Sequence, residues 1–424
     1  MYWIQIIKNM KKLYTVAFLF LAFSAKSQVM PLDSIYSAIA MNHPALKSYD
    51  AEIRSLDESA KGARSWEAPQ LSTGLWMTPY DPSLWKRQSN GATGTGQYMI
   101  SAEQMFPNNK SQNAEEKYLL GKSSVEKEKK NATINELYAA AKQNFYQWFI
   151  LKKKLAVLHQ DSLLLDFMIK STEIRYKNNL GKISAYYKVK ASLGNIESER
   201  ISIENDIAQK RIVLNTLMNR EKSMDFDIDT VFYLRSYNPL AVDSMSIKDA
   251  RSDIRAVESD IQLISLEQNA ELAKLRPEFG VRYDNMFGFG GLPMQYSLMG
   301  TLKLPMAKWS SRAAKANVES LKWKAESLNQ QKQTMINEAT GLSYGIQRSI
   351  ISKQKQIKLF EDNIIPALHK NFQTMQLAYE ENTEELFTLY DAWQTLDMTQ
   401  LEYLDQLRDL LLMHVELERI LEIK

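Results

Sequence analysis

The sequence predicts a mainly helical fold with a small β part: long antiparallel coiled coils that carry four strands per chain. Three observations lead there. Residues 70–77, 97–107, 278–286 and 294–304 alternate apolar and polar side chains, the period of a sheet with one greasy face. The long segments after each strand pair repeat apolar residues in alternating steps of three and four, the seam of a coiled coil. The order helix, strand, loop, strand, long helix, long helix also occurs twice, so the chain reads as a tandem duplication.

Composition narrows the function classes. The 424 residues carry a formal charge of +3, with acids and bases interspersed, and leave no basic footprint for nucleic acid. Cysteine is absent, which excludes disulfides, thiolate metal sites, cysteine nucleophiles and a lipid-modified N-terminal cysteine. Met10-Lys11-Lys12, the apolar run Leu13 to Phe23 and Ser24-Ala25-Lys26-Ser27-Gln28 form the basic, apolar and cleavage regions of a secretory signal. Residues 1–28 are therefore predicted to be removed. The greasy block Tyr2 to Ile7 stands before the basic region, so the predicted translation start is Met10.

The elements follow in order. Leu32 to Met41 reads as a short helix interrupted at Asn42-His43-Pro44, and Ala45 to Trp66 as a second one ending before Pro69. Two strands come next, joined by a loop rich in Pro, Gly and Ser from Pro79 to Gly96. A seam then runs through Leu137, Ala141, Trp148, Leu151, Leu155, Leu158, Ser162 and Leu165, and another through Leu193, Ile196, Ile203, Ile207 and Leu214. The turn between them falls at Asn178 to Lys182. Residues 29–223 make the first repeat, and 224–247, mixed and aromatic with Phe226, Phe232, Tyr233 and Tyr237, a linker or small belt beside the helices. Residues 248–424 repeat the order: Gln97-Tyr98 and Phe106-Pro107 correspond to Gln295-Tyr296 and Leu304-Pro305. The last seam includes Leu386, Leu389, Trp393, Leu396, Leu410 and Leu417, after a turn at Glu380 to Glu384. Each segment between strands and break runs roughly 70 residues, about 100 Å if continuously helical.

Four strands are too few for a membrane barrel, which needs about eight, whereas three copies would supply twelve. An exported chain without a membrane-spanning helix can enter a bilayer as a closed barrel. The expected architecture is thus a transmembrane barrel shared among several copies, trimeric and 12-stranded if three take part, joined to a long helical tube. On this reading Leu75, Ile100, Val281, Tyr283, Leu298 and Leu302 face lipid, while Met99, Met105, Met286 and Met299 fall by parity on the lumen side with Thr301. Thioethers suit Cu(I) or Ag(I), which makes these four the metal-site candidates; the plainer reading is flexible filler.

Several motifs together resemble one known family. They are Asn42-His43-Pro44, the Pro69-Gln70-Leu71 triplet, the strands ending in Phe106-Pro107 and Leu304-Pro305, and the two helix turns from Tyr176 to Ser184 and Tyr379 to Leu386. In this order, twice, they resemble the TolC-like outer-membrane efflux proteins. Residues 279–341 look most like the heavy-metal-efflux branch of Bacteroidetes-type bacteria. The resemblance implies a homotrimer in the outer-membrane lipid with its helices in the periplasm, working with a periplasmic adaptor and an inner-membrane pump of RND type. It implies adaptor docking at the tips, Leu180, Gly181, Asn382 and Thr383. It also implies a periplasmic gate of two aspartates three positions apart. The matching positions are Thr388 and Asp391, so only Asp391 is acidic; its expected partner on the facing hairpin is one of Tyr186, Tyr187 and Lys190, and the residues leave open which. Gly181 fits the turn glycine of the family, and Asn382 replaces it in the second turn.

Other signals carry little. Residues 91–96 and 288–291 are glycine-rich but lie in no βαβ unit, so they do not read as phosphate loops. His43, His159, His369 and His414 share no ligand spacing. Neither an enzyme nor a cofactor is expected. Glu126 to Lys130 reads as a solvated helix face. The competing function class is a non-transporting periplasmic coiled coil, structural or adaptor-like.

Overall fold

The structure, a computed structural model, describes residues 29–178, 182–229 and 244–423. The signal region, the start at Met10, the tip residues Leu180 and Gly181, and Phe232, Tyr233 and Tyr237 lie outside the described residues. The chain divides into two compact units that cut across the repeat. One holds residues 48–132 and 251–337, the other the remainder.

The strand-bearing unit is built on a four-stranded antiparallel sheet of β2 (Gln70–Trp76), β3 (Gln97–Phe106), β5 (Glu278–Gly288) and β6 (Gln295–Lys303), in that spatial order. The two hairpins join through β3 and β5, with Gln97 opposite Gly288 and Phe106 opposite Phe279. Helix α3 (Asn109–Lys177) leaves β3 through Asn108, whose Oδ1 accepts the Lys110 N–H at 2.9 Å and caps its first turn. The first stretch of α3 packs beside α2 (Pro44–Lys61) and α6 (Ser252–Ala273). Here one expectation is corrected. Glu126 to Lys130 is mostly half-buried: Lys130 pairs with Asp50 of α2 at 2.6 Å and Arg255 of α6 with Glu128 at 2.9 Å. Charges of both signs at the seams between three helices pair with one another instead of facing water.

The second unit is helical. It contains α1 (Leu32–Asn42), α3 from Thr133 onward, α4 (Ile183–Leu217), α5 (Ser244–Ala250), the end of α7 (Arg312–Leu359), α8 (Ile365–Glu380) and α9 (Leu386–Leu421). A short parallel pair, β1 (Val29–Met30) with β4 (Asp227–Ile228), completes it. Every seam residue named from the sequence is buried or half-buried here. Leu158 and Leu165 of α3, Val189 and Ile196 of α4, and Leu389 and Trp393 of α9 form one apolar cluster. A second gathers Ile35 and Ile39 of α1 around Trp148 of α3 and Leu214 of α4. Phe226 is buried there, its ring 5.2 Å from that of Trp148, so the described start of the linker belongs to the core.

Two local departures have simple causes. The helix expected to reach Trp66 stops at Lys61 and closes with a 3-10 turn at Gly62–Arg64. Between α7 and α8 lies a π turn, Phe360–Ile364, just ahead of Pro366. Proline offers no N–H and crowds the carbonyl four residues back, and one wider turn absorbs both.

Candidate functional site: a two-faced sheet and a helix-turn cleft

The register sorts every strand residue onto one of two faces. One row across the sheet reads Leu71, Ala102, Tyr283, Leu298; another reads Phe106, Phe279, Leu302. Leu75, Ile100 and Val281 share this face, so the six residues assigned to lipid stand together. They are exposed, Leu298 at 68 % and Leu302 at 60 %, as is their neighbour Leu71 at 77 %. A contiguous apolar patch of this kind is foreign to a surface that meets only water.

The other face is polar and internally paired. Its rows read Gln70, Glu103, Arg282, Met299 and Ser72, Ser101, Asp284, Ser297. Arg282 Nε donates to Asp284 Oδ1 at 2.9 Å and its Nη2 to Ser101 Oγ at 3.4 Å. Lys303 pairs with Glu278 across β5 and β6 at 2.9 Å. All four candidate methionines lie on this face with Thr301. Met99 stands directly opposite Met286, Met299 opposite Arg282, and Met105 opposite Gly280, where a Cβ would overlap its sulfur.

The loops beyond the strands clasp each other. Gly94 N–H donates to Gly290 O at 2.9 Å and Phe289 N–H to Gly96 O at 3.0 Å, while the Trp85 and Phe289 rings stack with centroids 5.4 Å apart. Gly290 has φ +59° and its Cα side touches Gly94 backbone, so a side chain at either position collides. These amide groups serve the clasp and not a phosphate.

In the helical unit, the turn between α8 and α9 closes as a Schellman motif. Asn382 N–H donates to Tyr379 O at 3.2 Å and Thr383 N–H to Ala378 O at 2.9 Å, with Asn382 left-handed at φ 59°. Asparagine tolerates that conformation better than most side chains. Arg175, near the end of α3, donates to Tyr379 O at 2.6 Å with its guanidinium 3.9 Å from the Tyr379 ring centroid. These residues, with Lys182, Thr383 and Glu385, line an open cleft of about 720 Å³.

Asp391 lies one turn into α9, exposed, as does Thr388, whose hydroxyl donates to Glu384 at 3.1 Å. Among the described residues the Asp391 carboxylate makes no hydrogen bond or ion pair. Of its candidate partners, Lys190 lies over the Tyr186 ring and Tyr187 is 63 % exposed. The neighbours of Asp391 hold the facing helix instead. Lys188 of α4 sits 4.3 Å from the Tyr390 ring centroid, and Ser192 and Tyr390 share a hydrogen bond at 2.5 Å. These contacts escaped sequence reasoning because cation–π pairs between helices far apart in sequence leave no periodic signal. Among the described residues no group of three or more His, Asp or Glu could hold a metal ion, and no helix is long and apolar enough to cross a membrane.

Solved structures with this arrangement decide the fold. The outer-membrane channel OprN superposes with a TM-score of 0.72 at 13 % identity, covering 92 % of this chain and 89 % of that one. The outer membrane protein VceC of Vibrio cholerae gives 0.70 at 13 %, covering 92 % and 95 %. The open-state MtrE outer membrane channel of Neisseria gonorrhoeae gives 0.71 at 13 %, covering 92 % and 88 %. The fold is that of the TolC-like outer-membrane channels. No family model and no curated sequence matches the chain, so the likeness is carried by structure. Within the TolC-like fold, the strands and helix turns of this chain are the elements that its resemblance of motifs singled out.

Proposed function

We propose that three copies of the chain assemble into an outer-membrane duct that passively conducts solutes from periplasm to exterior. The observation that carries this reading is the inverted sheet, with its apolar face exposed and its polar face internally paired. Inversion suits a barrel whose outside meets hydrocarbon and whose inside holds water. The sheet ends in strands β2 and β6, and directions alternate across it. The free edge of β6 in one copy can therefore pair antiparallel with β2 of the next, giving twelve strands and no edge. The likeness in fold to OprN, VceC and MtrE supports the same placement. The partners on this reading are a periplasmic adaptor and an inner-membrane pump of RND type. Adaptor docking is assigned to the helix-turn tips, Leu180, Gly181, Asn382 and Thr383, and the resting closure to Asp391. The test is reconstitution: purified protein should run as a trimer and support conductance in planar bilayers. A monomer that stays water-soluble and adds no conductance would favour the periplasmic coiled-coil alternative.

One observation favours a heavy-metal cargo. Met99 and Met286 are directly opposed on the polar face, with Met105 and Met299 on the same side. Thioethers are ligands for Cu(I) and Ag(I). Replacing Met99 and Met286 by Leu should lower Ag(I) flux and leave K⁺ conductance intact; unchanged Ag(I) flux would remove the metal reading and leave the duct.

A further inference from the structure

The helical unit holds a buried acid and a half-buried one that the duct reading does not use. Asp161 of α3 is 8 % exposed, between Leu158 and Leu165, which are buried at 1 % and 0 %. Its Oδ1 accepts the Trp393 indole N–H from α9 at 2.7 Å. Its Oδ2 is buried without a donor, and so is Oδ1 of Asp397, one turn further along α9. The Trp393 bond sets Asp161 beside the turn of α9 that carries Asp397, and each carboxyl group acts on the charge of the other. Ionised carboxylates are acceptors only, so a hydrogen carried by one of the pair is what these buried, donorless oxygens can accept. The other charge facing Asp397 is Glu199 of α4, which adds to the repulsion, and neither acid has a cationic partner among the described residues.

We propose that Asp161 and Asp397 share one proton and form an acid-fastened latch that holds α9 against α3. Burial, then the charge of Asp161, pushes the Asp397 carboxyl up to about 8. Burial also raises Asp161, with the Trp393 hydrogen bond opposing. Separated helices would return both acids to the ordinary range near 4. Between about pH 4 and about 8 the latched state thus holds one proton more than the separated state. Rising pH weakens the latch by up to tenfold per unit across that window, and adds nothing above it. The latch stands independently of transport, since it needs only the contact between these helices.

The test compares thermal unfolding midpoints of the purified full chain and Asp397→Asn from pH 5 to 9. Asparagine offers an amide donor in place of the shared hydrogen and does not titrate. The wild-type midpoint should fall relative to the variant up to about pH 8, and the difference should then level off. Parallel curves would overturn the proposal. If chelation with EDTA, and not pH, erases the difference, the pair holds a divalent cation and the shared proton is likewise refuted. Should Asp397→Asn fail to fold, the Trp393 indole reports on the wild type. Its fluorescence, isolated by subtracting Trp393→Phe, should titrate with a midpoint near 8, and a flat response would overturn the latch.

Discussion

The helical unit and the sheet use the same residue types in opposite ways. In the helical unit Leu158, Leu165 and Leu389 are almost wholly withdrawn from solvent, and among its described residues no charged side chain but Asp161 and Glu418 is buried with them. On the sheet Leu71, Leu298 and Leu302 stand exposed, while Ser101 and Asp284 are buried at 1 % and 2 %. Burying apolar area from water contributes about 25 cal/mol per Å², so a chain designed for water alone would not arrange leucines this way. The difference teaches that the two units handle apolar side chains by opposite rules. One hides its hydrophobes from water, and the other leaves them on the surface, where the proposed duct would set them against hydrocarbon.

The comparison breaks most visibly at paired leucines. Leu165→Ala removes a fully buried side chain and should destabilise the helical unit by about 2–5 kcal/mol, read as a lowered unfolding midpoint. Leu298→Ala in the detergent-solubilised chain should cost far less. Equal losses would mean that Leu298 is an ordinary core residue. The sharper form exchanges chemistry. Leu298→Arg places a charge on the exposed apolar face; if that face meets lipid as proposed, the change costs roughly 2–4 kcal/mol per copy near the bilayer midplane and should block membrane assembly. Thr301→Arg, on the polar face, should assemble. Equal assembly of the two would sink the assignment of faces.

Much of this was legible in the residues because alternation and heptads are local patterns. Strands 70–76 and 295–303 and helix 386–421 fall within a residue or two of their sequence readings. The face of Leu298 followed from parity alone. The pairing of β3 with β5 did not, since nothing local says that residues 97 and 288 meet. Asp161 and Asp397 were passed over for a related reason. Each adjoins a seam position, Ser162 and Leu396, and a charge beside a seam ordinarily points to water. Only the packing of α9 on α3 encloses them. The Phe360–Ile364 turn was missed because a proline in a helical pattern predicts a break without saying how it is absorbed.

The α8–α9 turn offers a smaller effect on the helical side. Asn382 holds φ 59°, a conformation that costs most L-residues about 1–2 kcal/mol. Asn382→Val should lower the unfolding midpoint of the helical unit, and Asn382→Gly should preserve it. If both variants behave alike, the turn relaxes and the left-handed residue is not what closes it. Neither change should disturb strand assembly, which keeps the two units separable in experiment.

The smallest effect on folding belongs to Asp391, and there the interest is functional. The residue is exposed and its carboxylate makes no hydrogen bond or ion pair among the described residues, so Asp391→Ala should leave the unfolding midpoint unchanged. In a symmetric trimer the three copies would still meet as a ring of like charge. Such a ring resists close approach unless protonation, hydrogen bonds or a bound cation offset it. Within one chain Tyr186 and Lys190 attend to each other, so the partners that close the ring must come from neighbouring copies or from solution. Asp391→Ala should therefore raise resting conductance in planar bilayers and remove its block by divalent cations, with stability and trimer mass unaltered. A variant whose conductance and cation block match the wild type would make Asp391 an ordinary helix-surface residue and move the closure elsewhere on the helical unit.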